Sequence, residues 1–538
     1  MLQRYFKEIS RKTLLSDFIF ISIVLFAIIR LLFHIWTLDK GLVFSDESYY
    51  LYLLKDLPIS MSSSNFFKYF HNVFEGNIFL IRTAVLLVNI FSSFVFSFGL
   101  YLFFRDKYNL KTKNFLIILA YCTIGFHLCK PIVGDVFSYV TMNSQIMLLS
   151  LGFLFLALHF NNIISILMYV ISGFIAGMLI FIMITNTPII IFIMIIIYLF
   201  SQKYINLLYF VVGVFMSIAY YFVFVESLSI FYNNLLGAMQ QAISGKLEGE
   251  HGITQMVKWF AGLVKFSLFS ILLPTLTVFG FISIRQSQNK IIKGLIYFIG
   301  LLLIVFFYKK YIYLKPPGVS SIIPIFVVSC YIFISSIISS VKINRMHIVF
   351  LLVAGMTPIC LTFGSDLTFE IRAAWYIMFI IPSLYLLTFE CVKSQTMQSV
   401  LYILVILYCF NTFTFIHQNI WGNVYTEQKI SVSDLGIKQS IKLDRTRFDD
   451  LRNLQKLVKA NETVVLSFPS LWGYAYLLNM KPIDYIFIDY YQLNIIKKQT
   501  VYIEDTNYPF NARILKLLKE NHSTFEKVDN KFNVYRIH

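Results

Sequence analysis

Apolar residues run together in stretches of roughly twenty, the length of helix that crosses a hydrocarbon core of ~30 Å. Short polar or basic breaks separate these stretches. Lipid offers the backbone no hydrogen-bond partners, so each run must be helical. Run length predicts about thirteen spans, near 16–36, 80–104, 113–130, 141–160, 163–183, 187–201, 205–225, 264–284, 291–308, 319–339, 347–364, 373–390 and 398–416. From about residue 417 the pattern becomes that of an ordinary globular chain. It predicts a helix over Phe448–Leu457, a strand at Thr463–Phe468, a helix around Leu471–Leu478 and a strand at Ile483–Ile488. A helix at Ala512–Leu518 and a last strand near Phe532–Ile537 follow. The expected architecture is a mainly α, polytopic transmembrane helix bundle over residues 1–416, with a small α/β domain over residues 417–538.

Composition agrees, for 58% of the 538 residues are hydrophobic, 14% are charged and the mean hydropathy is +0.72. A soluble chain of this size needs more charge to cover its surface. The net charge of +17 does not point to nucleic acid, because the basic residues are spread through short loops rather than gathered on one aromatic-lined face. Those loops carry Arg105, Lys107, Lys111, Lys113, Lys203, Arg285, Lys290, Lys293, Lys342, Arg345 and Lys393, the distribution of cytoplasmic connections. The N-terminus is then cytoplasmic, and an odd span count puts the tail outside a plasma (inner) membrane. The first run is too long for a signal-peptide core and is expected to stay as a span. Six cysteines, all in or beside apolar runs, imply no disulfide framework.

Charge bias gathers the segments around Asp46, Asp135, Glu226–Gln255, Lys315 and Arg372 on the face that carries the tail. In the first of these loops the apolar positions Tyr50, Leu53, Leu54 and Leu57 follow Asp46 at helical spacing. They predict a short helix on the membrane surface with its apolar face down. Asp46 opens that stripe and Glu47 is rotated away from it by about 100°. Ser45, Asp46 and Glu47 also suit a plain helix cap. The histidines show no metal-ligand spacing. No obligatory metal is expected, although an Asp-Glu pair with Asp135 can hold a divalent ion weakly.

An Asp-Glu pair followed by aromatics just after the first span resembles the first-loop motif of the GT-C glycosyltransferases. The nearest resemblance is to the protein O-mannosyltransferase and aminoarabinose-transferase group and its bacterial relatives. Further along come Ile81-Arg82-Thr83, Gly134-Asp135-Val136-Phe137-Ser138-Tyr139, a Gly173–Gly177 segment leading to a Thr-Pro turn, and Arg372 before Trp375, Tyr376 and Pro382. Relatives often carry a lysine before the proline that opens the sixth span. Here the segment reads Thr185-Asn186-Thr187-Pro188, and the basic loop Lys309-Lys310 to Lys315-Pro316-Pro317 is a candidate replacement.

The resemblance implies transfer of a sugar from a polyprenyl-phosphate donor to an acceptor hydroxyl of a lipid, glycan or protein at the outer face. In an inverting displacement a carboxylate takes the acceptor's proton and a cation stabilises the departing phosphate. It maps the base onto Asp46. Glu47, Asp135 and Tyr50 would position acceptor and sugar, and Arg372 together with Arg82 or Lys315 would hold phosphate. A polysaccharide polymerase or ligase, and a non-enzymatic transporter of lipid-linked sugars, are the alternatives. The absence of an internal repeat counts against the transporter. The tail lacks a Gly-rich phosphate loop. It reads either as a lid over the outer loops or as a wall of the acceptor site around Trp472, Tyr474 and Tyr476.

Overall fold

The computed structural model describes residues 2–44, 46–55, 70, 73–128, 137–182, 186–201, 203–233, 357–362, 376–391, 424–468, 471–482, 500–510, 512–520, 523–528 and 531–536, with isolated positions between 236 and 353. The helices of the first half are α1 (Leu2–Thr37), α2 (Asp46–Lys55), α3 (Ile78–Tyr108), α4 (Thr112–Leu128), α5 (Tyr139–His159), α6 (Ile163–Ile182), α7 (Thr187–Phe200) and α8 (Tyr204–Tyr220), the last continued by a π turn over Tyr221–Val225. Later come α9 (Thr357–Thr362) and α10 (Ile377–Cys391). Among the described residues five helical stretches are long and apolar enough to cross a membrane: Asp17–Thr37, Ile78–Tyr108, Tyr139–His159, Ile163–Ile182 and Tyr204–Val225. Thr112–Phe126 and Thr187–Phe200 are shorter apolar helices. Each of the first seven expected spans therefore coincides with an apolar helix. The expected spans at 264–284, 291–308, 319–339 and 398–416 lie outside the described residues, isolated positions aside, and that at 347–364 is described mainly at α9.

Close backbone approach and buried polar ties hold the bundle together. A Cβ on Gly99 of α3 would sit 2.4 Å from the Gly152 carbonyl oxygen of α5, so glycine is what permits that contact. Gly173 of α6 and Gly213 of α8 serve the same end, a Cβ on Gly173 falling 2.0 Å from the Phe210 carbonyl oxygen. In hydrocarbon each buried polar group needs a partner. Gln145 of α5 donates to the Asn89 Oδ1 of α3 at 2.6 Å and to the Val85 carbonyl at 3.1 Å. Asn186, two residues before Pro188, donates to Asn143 Oδ1 at 2.9 Å.

The tail comprises α11 (Arg445–Leu457), α12 (Trp472–Leu477) and α13 (Ala512–Glu520) with strands β1 (Ile430–Ser431), β2 (Lys442–Leu443), β3 (Thr463–Leu466), β4 (Lys481–Pro482), β5 (Thr500–Asp505), β6 (Thr524–Val528) and β7 (Phe532–Arg536). β1 and β2 form a separate antiparallel pair, and the rest make one sheet of order β4-β3-β5-β7-β6. β3 pairs in parallel with β4 and β5, whereas β7 is antiparallel to both β5 and β6. Val464, Leu466, Val501 and Ile503 join the large core that includes α11, α12 and the membrane helices. Val465 and Tyr502 point the other way and pack with Ile514 and Leu518 of α13. The helices of the tail thus lie on opposite faces of its sheet.

Candidate functional site

The first loop begins where α1 ends. Gly41 adopts φ +62°, a left-handed turn that favours glycine, and the chain folds back so that three carbonyls converge on α3. Arg82, one turn into that helix, uses all five of its N–H groups there. Its Nε donates to Glu47 Oε1 at 2.7 Å and one terminal nitrogen donates to Glu47 Oε2 at 2.7 Å and to the Gly41 carbonyl at 3.0 Å. The other terminal nitrogen donates to the carbonyls of Leu38 at 2.9 Å and Lys40 at 3.2 Å. Glu47 Oε2 also accepts from the Val43 amide at 2.9 Å.

Glu47 and Arg82 are only 2% and 4% exposed, so a bidentate ion pair is sealed from solvent. It clamps the segment 38–47 into a single shape. The expected roles change accordingly. Arg82 has no N–H left over for a phosphate, and Glu47 is engaged with Arg82 and Val43 rather than turned toward an acceptor. Arg30 is buried too, 3% exposed and 5.8 Å from the centre of the Phe33 ring, so neither guanidinium extends outward to a headgroup layer.

Asp46 opens α2 immediately before Glu47. Its side chain lies outside the described set, as do Asp135, Lys315 and Arg372. Tyr50 is buried, its ring 6.3 Å from that of Tyr139 at the start of α5, beside the segment that carries Asp135 in the sequence. Among the described residues no three His, Cys, Asp or Glu side chains come together as a metal site.

α2 does not present one apolar face to a bilayer and another to water. Leu51, Tyr52, Leu53 and Leu54 are all buried, four consecutive positions that span every side of a helix. The reason is the tail, which covers the helix. Tyr52 stands edge-on to Trp472 and Tyr476 of α12, at 5.4 and 5.1 Å, and its hydroxyl donates to the Met480 carbonyl. Phe44 is held between the Tyr474 ring at 4.6 Å and the Arg447 guanidinium at 4.9 Å, and its carbonyl accepts from the Gly473 amide at 2.8 Å. Burial, and the Asp450 carboxylate beside it, push the Tyr474 phenol well above its ordinary value. Trp472, Tyr474 and Tyr476, whose alternative reading was a wall of the acceptor site, are thus the packing surface between tail and first loop, the arrangement of a lid.

The tail grips two further points. Residues 39–41 add to β2: the Gly41 amide donates to the Lys442 carbonyl at 2.8 Å, the Lys442 amide to the Asp39 carbonyl at 2.7 Å, and Lys442 Nζ pairs with Asp39 at 2.5 Å. Gln439 receives the Ile78 amide at 3.0 Å and donates to the Gly76 carbonyl at 3.0 Å, fixing the start of α3. Tyr425, just ahead of β1, lies close enough to the clamp to feel it. Burial pushes its phenol up to about 12, Arg82 and Arg30 oppose the shift, and Glu47 adds to it.

Sequence reasoning reached Glu47 and Arg82 singly but not as partners, nor did it reach Gln439, Lys442, Gly473 or Tyr425. No local periodicity joins residues so far apart. The chain matches no model of a known protein family and no curated protein.

Proposed function

We propose that this chain is a membrane glycosyltransferase that moves a sugar from a polyprenyl-phosphate carrier to an acceptor hydroxyl, with Asp46 as general base. The observation that carries the reading is the buried Glu47–Arg82 clamp, which fixes the loop bearing Asp46 at the end of the bundle where α1 finishes and α3 begins. A catalytic carboxylate must be held to within a fraction of an ångström of its proton, and a neighbour, Glu47, locked by three hydrogen bonds supplies that support. In the proposed step the acceptor oxygen attacks the anomeric carbon and its proton passes to Asp46. The bond from that carbon to the phosphate oxygen breaks, its electron pair leaving with the phosphate. Lys315 and Arg372 are the cations proposed for that phosphate. Arg82 and Glu47 become positioning residues. The tail is the lid that holds the loop in place, on the extracytoplasmic side.

The test is mass spectrometry of envelope glycans and lipid-linked sugars in cells that carry the protein, lack it, or carry Asp46→Asn. The reading expects the Asp46→Asn cells to resemble the deletion, losing one glycan modification and accumulating one polyprenyl-phosphate sugar. Identical profiles in all three overturn it.

A further inference from the structure

In an open sheet with parallel strands, ligands bind outside the carboxyl ends of two adjacent strands whose connections leave in opposite directions. The tail has one such place. From β3 the chain passes through α12 to β4 on one side, and from β5 it passes through α13 to β6 on the other. The carboxyl ends of β3 and β5 bring Ser467 and Phe468 on one side beside Asp505 to Tyr508 on the other.

The geometry there is built rather than loose. The Asp505 amide donates to Ser467 Oγ at 2.9 Å from one strand end to the other, and the Ser467 amide donates to the Ile503 carbonyl at 3.0 Å. Asp505 Oδ1 accepts from the Asn507 amide at 2.9 Å, and its other carboxylate oxygen takes no hydrogen bond from the described residues. The Tyr508 amide donates to the Asp505 carbonyl at 2.8 Å. On this frame the rings of Phe468 and Tyr508 stack 3.8 Å apart and 6° from parallel. Tyr508 is nevertheless 51% exposed. Among the described residues the tail's other large aromatics are buried in its cores or against α2, apart from Phe525 on the edge strand β6, the partly buried Tyr535 beside it and the partly buried Tyr425.

These strand ends also lie close to the first loop. The Leu471 amide donates to the Phe468 carbonyl at 3.0 Å, and two residues on the Gly473 amide donates to the Phe44 carbonyl. Phe44 is two residues from Asp46.

We propose that this pair of strand ends is a carbohydrate subsite that receives pyranose rings of a glycan acceptor. Tyr508, backed by Phe468, offers a flat apolar surface to the C–H face of a sugar ring, and Asp505 accepts its hydroxyls. An aromatic platform beside a carboxylate that is 7% exposed, with one oxygen not bonded to the described residues, suits a ring that is apolar on its faces and polar at its edge. The site rests on the transferase reading and narrows its acceptor to a glycan, in preference to a lipid or protein.

The experiment uses the full-length protein in lipid nanodiscs, with maltotetraose, cellotetraose and chitotetraose as probes and saturation-transfer NMR as the readout. The expected result is binding of at least one probe, weakened about five- to tenfold by Tyr508→Ala and about tenfold by Asp505→Asn. Tyr508→Trp should retain binding, and Phe525→Ala, which removes an exposed ring elsewhere on the tail, should leave it unchanged. Thermal melts of each variant establish that the tail is folded. Binding of none of the three probes, or equal affinity in Tyr508→Ala, overturns the subsite. Because binding needs no turnover, that failure leaves the transferase reading to be judged by the Asp46→Asn cells alone.

Discussion

The clamp makes a quantitative claim about Glu47 and Arg82. In Glu47→Gln the amide keeps the size of the carboxylate but not its acceptors. The Oε2 position receives both Arg82 and Val43, so the carbonyl oxygen takes that place and the amide nitrogen faces the Arg82 Nε, donor against donor. A guanidinium then stays buried without its counter-charge, which costs about 3–5 kcal/mol. Arg82→Met removes the charge but leaves Glu47 buried and strands the carbonyls of Leu38, Lys40 and Gly41, so its cost is at least as large, about 3–5 kcal/mol with a further ~1–3 kcal/mol for each carbonyl that stays dry. In Glu47→Gln/Arg82→Met neither buried charge remains. The double variant should therefore be more stable than the sum of the singles by about 2–4 kcal/mol. The assay is reversible unfolding of purified protein in mixed micelles, followed by intrinsic fluorescence, for all four corners of the cycle. Costs that add to within ~0.5 kcal/mol would refute the clamp.

Gly473→Ala places a Cβ 2.2 Å from the Phe44 ring and 2.9 Å from its Cα, so it should cost about 1–3 kcal/mol, and Phe44→Leu should recover part of that loss in thermal melts. In the tail, burial pushes the Glu462 carboxyl up, but hydrogen bonds from Arg536 and the Lys459 amide outweigh it and hold the group below its ordinary value. A carboxyl depressed by folding adds stability above its unfolded pKa and loses it as pH falls through the folded one. Glu462→Gln should flatten that acid limb in hydrogen exchange of β7, and an unchanged limb would remove the pair as its cause. If the tail is extracytoplasmic, a cysteine at the exposed Lys516 reacts with an impermeant thiol reagent in intact cells; protection until the cells are lysed would reverse the orientation.

Run length located the apolar helices because a bilayer sets a minimum length for a span, which α3 with 31 residues and α5 with 21 both meet. The tail was legible where periodicity was clean, at α11 and at β7. β5 was missed because all six of its positions are buried in the middle of the sheet, so Thr500–Asp505 lacks the alternation that marks a half-exposed strand. β6 is a short edge strand whose polar residues mask its pattern. The face of α2 was misjudged for a physical reason: amphipathic spacing shows that one side is apolar, not that a second domain covers the others. The ion pair of Glu47 and Arg82 was out of reach for the same reason, since tertiary contact alone brings them together.

The central claim is that Asp46 takes a proton, and Asp46→Asn isolates that act. Asparagine is nearly isosteric and caps a helix about as well, so α2 and the clamp should keep their stability. It cannot accept a proton near neutral pH. The measurement is the transfer rate in reconstituted membranes supplied with the cell's own labelled polyprenyl-phosphate sugars, with thermal stability recorded in parallel. A stable protein slowed by roughly 10²–10⁴ is the predicted result; a stable protein with near-normal turnover would contradict it.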